Sequence, residues 1–300
     1  NTAVGNEALG TNTTGTQNAA FGVAALILNT TGSYNTALGP YALKANTTAS
    51  NNVAVGWEAL VANTTGASNI AVGRRALNLH TTGTENVAVG TDAMYATTTS
   101  SRNTALGHAA LDAQTDGSGY NTAVGNNALT ANTSGTTNTA VGANAGDALT
   151  TGSNNTSLGY EADSTAVDAS NEFTLGNASV SALRCADTSI AALSDRRDKK
   201  DIIDSSYGLE FINKIRPVQF TWDRRNLVKG DLESTHNGKT RIGFISQELQ
   251  EAMEDDSNEI LDLVYESNPE RLEVKQGKLI PILTKAIQEL SAKVEALEDA

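Results

Sequence analysis

The 300-residue sequence predicts a mainly β repeat fold, a trimeric parallel β-roll or β-solenoid shaft, followed by a small α+β domain that ends in a coiled-coil helix. Three observations predict it. A nine-residue pattern recurs ten times at a nearly constant spacing. Charge is scarce in residues 1–193, which hold 17 Lys, Arg, Asp and Glu, and dense in residues 194–300, which hold 38. Near the carboxyl end, apolar residues alternate at steps of three and four.

The repeat runs from NTAVGNEAL (1–9) through NAAFGVAAL (18–26), NTALGPYAL (35–43) and NVAVGWEAL (52–60) to NTSLGYEAD (155–163). Its fifth-place glycines, from Gly5 to Gly159, are spaced 17 residues apart eight times and 18 once. Ten short units at fixed period stack as a solenoid and not as a compact globule. Each unit reads as strand, turn, strand, turn, with Thr, Val and Ile in the strands and NTTG punctuating them. The fifth-place glycine suits a bend at positive φ. Stacked at roughly 4.8 Å per layer, the ten units give a shaft of about 50 Å. The leading Asn of every unit is placed to form a hydrogen-bonded ladder. The extra residue near DAQTDGSGY (112–120) lengthens one surface loop.

Within each unit the third place is always Ala or Ser, and the fourth always Val, Leu or Phe. Neighbouring strand residues point to opposite faces. If both are buried, one lines the coil and the other meets a separate surface, most simply another copy of the same chain. A homotrimer follows from that reading, with a flattened monomeric solenoid as the alternative. The variable places carry Tyr34, Tyr41, Trp57, His80, Tyr95, His108 and Tyr120, read as exposed. They suit either a receptor-binding surface for a host-cell protein or glycan or scattered side chains on a shaft. The NTT sequons are equally well explained as turns. His80 and His108 lie in different units without metal-ligand spacing, so no metal and no cofactor is expected.

Residues 164–193 form a β-rich joint, in which NEFTLGNASVSAL (171–183) reads as short strands. Seven charged residues then follow Ser194 in a row, from Asp195 to Asp201. In YGLEFINKIRPVQFTW (207–222), Leu209, Ile212 and Ile215 have helical spacing, and Pro217 leads into an alternating strand. RIGFISQELQEAM (241–253) reads as a strand and then a helix. Over 279–298, Ile280, Leu283, Ile287, Leu290, Val294 and Leu297 form an a/d seam, with Pro281 near the helix start. Packing of that helix on its own domain is the alternative to a three-stranded coil.

The net charge of −13 disfavours nucleic-acid and anionic-membrane partners. No apolar run reaches the roughly 18 residues that span a bilayer. The single cysteine, Cys185, excludes an internal disulfide and reads as a small apolar residue. No phosphate-binding glycine loop is present, and no recurrent carboxylate pair suits glycan hydrolysis. The chain opens in mid-pattern at Asn1 without a signal peptide, as expected for a piece of something longer.

Two resemblances sharpen these readings. Residues 1 to about 163 resemble the repeats of YadA-like trimeric adhesins and, more closely, the NTAxGxxAL repeats of phage tail fibres. SDRRDKKDI, IRPVQFTW, IGFISQELQ and KLIPILTKAIQEL, in that order, resemble the C-terminal intramolecular chaperone of endosialidases and other phage tail spikes and fibres, a domain type also found in myelin regulatory factor. That resemblance implies a module, here 194–300, that trimerises, guides folding of the β-rich part before it and then cuts itself off. It implies an autoproteolytic serine peptidase with Ser194 as nucleophile, Lys199 as base and Leu193–Ser194 as the scissile bond. Lys200, next in line, leaves the choice of base open. A lysine of ordinary pKa is neutral in only about a few molecules per ten thousand at pH 7. Burial and like charge favour the neutral amine. Arg196, Arg197 and Lys200 supply like charge, and Asp195 and Asp198 oppose it, so burial on closure of three chains is expected to decide. The implied protein is the distal part of a homotrimeric tail fibre, built in the host cytoplasm and carried on the virion for host attachment. A bacterial surface adhesin with the same chaperone is the alternative.

Overall fold

A computed structural model of the chain describes residues 1–115, 119–180, 183, 194–221, 238, 240–266 and 272–300. It divides into two compact units, Asn1–Asn177 and Ala178–Ala300.

The first unit is a parallel β-solenoid. Eleven three-residue strands, from β1 (Thr2–Val4) to β10 (Thr156–Leu158) and β11 (Phe173–Leu175), form a single sheet in sequence order. Each strand pairs with the equivalent residues one repeat away, as in Ile70 with Val87 and Ala71 with Ala88. The extra residue in 112–120 leaves the register intact, with Thr104 opposite Thr122. β11 adds an eleventh coil, in which Glu172 stands where the leading Asn would be.

One strand per coil, and not two, is a correction to the sequence reading. The second segment of each coil is a turn whose alternate residues are left-handed, as at Glu58 (φ 56°) and Leu60 (φ 51°). Such residues cost energy when they stand alone. Here each aims its N–H along the stack: Glu58 donates back to the Pro40 carbonyl (3.0 Å) and Leu60 forward to that of Ala76 (3.0 Å). The backbone is thereby bonded between coils outside the strands as well as in them, as buried amides require.

The coil interior is narrow. Third-place alanines and ninth-place leucines, such as Ala54 and Leu60, are wholly buried. The fifth-place glycines are obligatory. At Gly56 φ is 134°, and a Cβ would stand 2.4 Å from the Gly73 carbonyl oxygen. The leading asparagines form the expected ladder, although their bonds run mainly to backbone. Asn52 Oδ1 accepts from the Asn69 N–H (2.9 Å), and Asn52 Nδ2 donates to the Gly66 carbonyl (2.9 Å). A second column, the Asn of each NTT turn, links side chain to side chain from Asn12 through Asn29 and Asn46 to Asn63. Asn29, Asn46 and Asn63 are wholly buried, which accords with the turn reading of the sequons.

His80 enters this second column. It is buried, contrary to the exposed reading, and its Nε2 donates to the Gly83 carbonyl (2.9 Å). Imidazole cannot copy the amide geometry, and Asn63 Oδ1 and His80 Nδ1 are left without partners. Tyr41 and Tyr95 are half-buried, not exposed, because Lys44 and Arg75 lie over their rings. At the ninth coil Gly146 replaces the core leucine and Leu149 is buried three places on. At the tenth coil Asp163 takes the leucine place.

The second unit is small and α+β. It contains α1 (Leu209–Lys214), an antiparallel pair of β12 (Val218–Thr221) and β13 (Thr240–Gly243), α2 (Ser246–Leu261), the short pair β14 (Val264–Tyr265) and β15 (Glu273–Val274), and α3 (Leu279–Glu298). Its core gathers Phe211, Leu249, Met253, Leu263, Leu279 and Ile282. Of the apolar residues read near α1, Leu209 and Ile212 are only partly buried, Ile215 falls just past the helix, and Phe211 supplies the buried contact. Among the described residues no helix is long and apolar enough to cross a membrane.

Candidate functional site

The charged run after Ser194 folds as one turn of 3-10 helix over Arg196–Asp198. Asp195 caps it, its carboxylate accepting from the Arg197 N–H (2.8 Å) and pairing with the Arg197 guanidinium (2.6 Å). Those two hydrogen bonds, the side-chain one first, hold the Asp195 carboxyl below the usual range, and the same contact raises Arg197. The Lys199 N–H closes the turn on the Arg196 carbonyl (3.2 Å). A tight turn of about three residues folds the chain back on itself. It brings Lys199 Nζ to 2.6 Å from Ser194 Oγ.

The turn therefore joins the two residues singled out in the sequence, a hydroxyl and an amine within hydrogen-bond reach. Asp195, which was expected to oppose a neutral lysine, is engaged with Arg197. Among the described residues no carboxylate lies within ion-pair distance of Lys199. Residues 194–206 are all exposed, so the described residues do not bury the pair. Leu193, on the other side of the expected scissile bond, lies outside the described residues, as do Cys185 and Trp222.

The rest of the unit carries an uncovered apolar seam. On α3, Leu279, Ile282 and Ala286 are buried against the unit's own core, and Glu289 continues that stripe half-buried. The neighbouring stripe of Ile280, Leu283, Ile287, Leu290, Val294 and Leu297 is exposed, from 43% at Leu283 to 77% at Leu297. From residue 291 onward every residue is exposed. The helix thus packs on its own domain with one stripe and presents the a/d seam outward.

Residues 194–257 match the family model described as the chaperone of endosialidase. The match begins at Ser194 itself. It ends within α2, so the helix with the seam lies beyond it. No curated protein and no solved structure matches the chain. The polypeptide is therefore a β-solenoid followed by a small α+β unit, part of which matches the endosialidase chaperone model.

On the shaft, second- and fourth-place residues share the outer face of the sheet. Val4, Leu38, Leu106 and Leu158 are exposed there, and beside Leu38 and Leu106 the third-place Ala37 and Ala105 are fully enclosed. This is the apolar face that the third- and fourth-place pattern implied. Elsewhere Tyr34, Trp57, His108 and Tyr120 are exposed. Tyr34 and Tyr120 share one column, in which Arg102 bonds Glu85 (2.8 Å) and the Tyr120 hydroxyl (2.9 Å). Tyr160, not singled out in the sequence, joins the exposed aromatics. Gly208 and Glu289 also escaped the sequence reading: the Glu289 carboxylate accepts from the Leu209 N–H at 2.8 Å. Nothing in a lone glutamate within a seam of isoleucines and leucines signals such a contact.

Proposed function

We propose that the chain is the distal part of a homotrimeric tail fibre, whose C-terminal chaperone domain aligns three chains and then releases itself by cutting between Leu193 and Ser194. The family match at residues 194–257, beginning at Ser194, carries the reading. The Ser194–Lys199 contact supports the chemistry and the exposed α3 seam supports the assembly.

The reaction is an acyl shift followed by hydrolysis. Ser194 Oγ attacks the carbonyl carbon of Leu193 as neutral Lys199 takes the hydroxyl proton. The tetrahedral intermediate collapses, the C–N bond breaks, and Lys199 returns the proton to the departing nitrogen of Ser194. An ester now joins the Leu193 carbonyl to Ser194 Oγ. Water opens it, leaving a carboxylate at Leu193 and a free hydroxyl and amine at Ser194. Closure of three chains around the exposed pair removes water and favours the neutral amine. Cutting is thereby tied to assembly.

Near-identical coils pair out of register by one repeat at little local cost, and long-range parallel pairing nucleates slowly. Fixing three chains at their carboxyl ends addresses both. After release, the shaft is held by the rate of its unfolding, and it serves host attachment through its exposed aromatic columns. The test is Ser194→Ala in the full chain: loss of processing at 193/194 is expected, and continued processing there removes the serine mechanism.

A further inference from the structure

We infer that Glu289 is a positioning residue for self-cleavage, tying the segment that bears Ser194 and Lys199 to the helix that carries the assembly seam. The inference rests on the self-cleavage reading above and adds a link to it.

Residues 194–206 are exposed throughout, so the first anchored point after the serine–lysine turn is the start of α1. There Tyr207 sits edge-on to Phe211 at 6.1 Å, and Phe211 enters the core. α1 has no cap of its own. Its N-cap residue is Gly208, which has no side chain to accept from the free N–H groups of the first turn. The acceptor arrives from 80 residues away, as the Glu289 carboxylate on α3 receives the Leu209 N–H at 2.8 Å. A carboxylate at a helix start is also favoured by the helix dipole. Gly208 is buried, and a Cβ there would stand 2.6 Å from Glu289 Oε2, so the glycine makes room for the carboxylate.

Glu289 immediately precedes Leu290, an exposed seam residue. One turn of α3 therefore faces the partner chains with Leu290 and holds the root of the cleavage segment with Glu289. The seam fixes α3 relative to the other copies, and the Glu289–Leu209 bond fixes where the serine–lysine turn begins relative to α3. Without it, three chains still assemble, but the pair is not delivered to the place where assembly buries it.

The test uses the full chain made by cell-free synthesis, following trimer formation by light scattering and the fragment that begins at Ser194 by mass spectrometry. Glu289→Ala is expected to trimerise normally and cut about ten- to a hundredfold more slowly, the scale of a misplaced reacting group. Glu289→Gln, which keeps an acceptor oxygen, is expected to cut within about threefold of the parent. Gly208→Ala leaves α3 and its seam untouched but displaces the carboxylate, and is expected to behave as Glu289→Ala does. Parent-like cutting by trimers of Glu289→Ala or Gly208→Ala overturns the inference. Failure of both to trimerise also overturns it, since Glu289 is then only a folding residue. Ser194→Ala run alongside separates the two claims, because processing that survives it removes the self-cleavage reading whatever Glu289 does.

Discussion

Lys199 Nζ stands 2.6 Å from Ser194 Oγ although both side chains are open to solvent. The contact is made by the local turn alone, and it is the reason to test Lys199 before Lys200 as the base. Lys199→Met, which keeps the length and apolar stem but removes the amine, is expected to lower cutting at least about a hundredfold, the lower end of the range for a general base. Lys200→Met is expected to cut within a few-fold of the parent. Gel or mass analysis of the fragments measures both, and the reverse ranking assigns the base to Lys200.

The seam on α3 makes a second prediction. Ile287 is 66% exposed in the isolated chain, so Ile287→Asp leaves the fold of its own unit intact. In a three-stranded coil the same change places three carboxylates at one layer of the core, a cost of several kcal/mol. The variant is expected to be monomeric by light scattering, to keep its helical circular dichroism and to remain uncut. A monomer that cuts itself would separate cleavage from assembly.

How much of this was legible in the sequence depended on whether a residue's role was periodic. The solenoid, its glycines and the enclosed alanines follow from a 17-residue repeat, and the α3 seam follows from steps of three and four. The charged run exposed the boundary at Ser194, and the resemblance supplied the pair. Roles set by a single substitution were not visible. His80 looks like a variable surface residue until the column of Asn29, Asn46 and Asn63 is traced to it. Alternate left-handed residues such as Glu58 and Leu60 carry no compositional mark, so the second half of each coil reads as a strand. The Glu289–Leu209 bond spans 80 residues and has no local signature.

Asn52 tests the ladder. Asn52→Ala strands the Asn69 N–H inside the stack and removes one of two donors from the Gly66 carbonyl, which keeps Asn63 Nδ2. With an orphaned buried group worth about 1–3 kcal/mol, the loss is about 1–3 kcal/mol per chain. Denaturant unfolding or an unfolding-rate measurement reads it. Tyr34→Ala, on the exposed column, is expected to change stability by less than about 0.5 kcal/mol.

A buried and a partly buried group give the shaft opposing responses to acid. Burial pushes the His80 imidazole down, against the smaller opposing effect of its hydrogen bond to the Gly83 carbonyl. The folded residue therefore takes up a proton less readily than the unfolded one, which does so near 6.5. Its contribution is present above that pH and is lost as the pH falls below it. Asp163, in the core leucine column, is pushed up to about 6 by burial first and by the Asp147 carboxylate second. Its contribution is present below the unfolded value near 3.8 and is lost as the pH rises through about 6. Discounted for its partial exposure, that effect is on the order of 1 kcal/mol. Unfolding at pH 5 and pH 7.5 separates the two. His80→Asn, which restores a donor for Asn63 Oδ1, is expected to remove the loss at pH 5. Asp163→Asn is expected to remove the gain.

The central claim is that assembled chains sever themselves immediately before Ser194. Intact mass of the purified full chain, with the first residue of the smaller fragment identified and the oligomeric state recorded on the same sample, tests it most directly. Two pieces are expected, the smaller beginning at Ser194 and the larger running as a trimer. A trimer built of three uncut chains, or a break at any other bond, would contradict it.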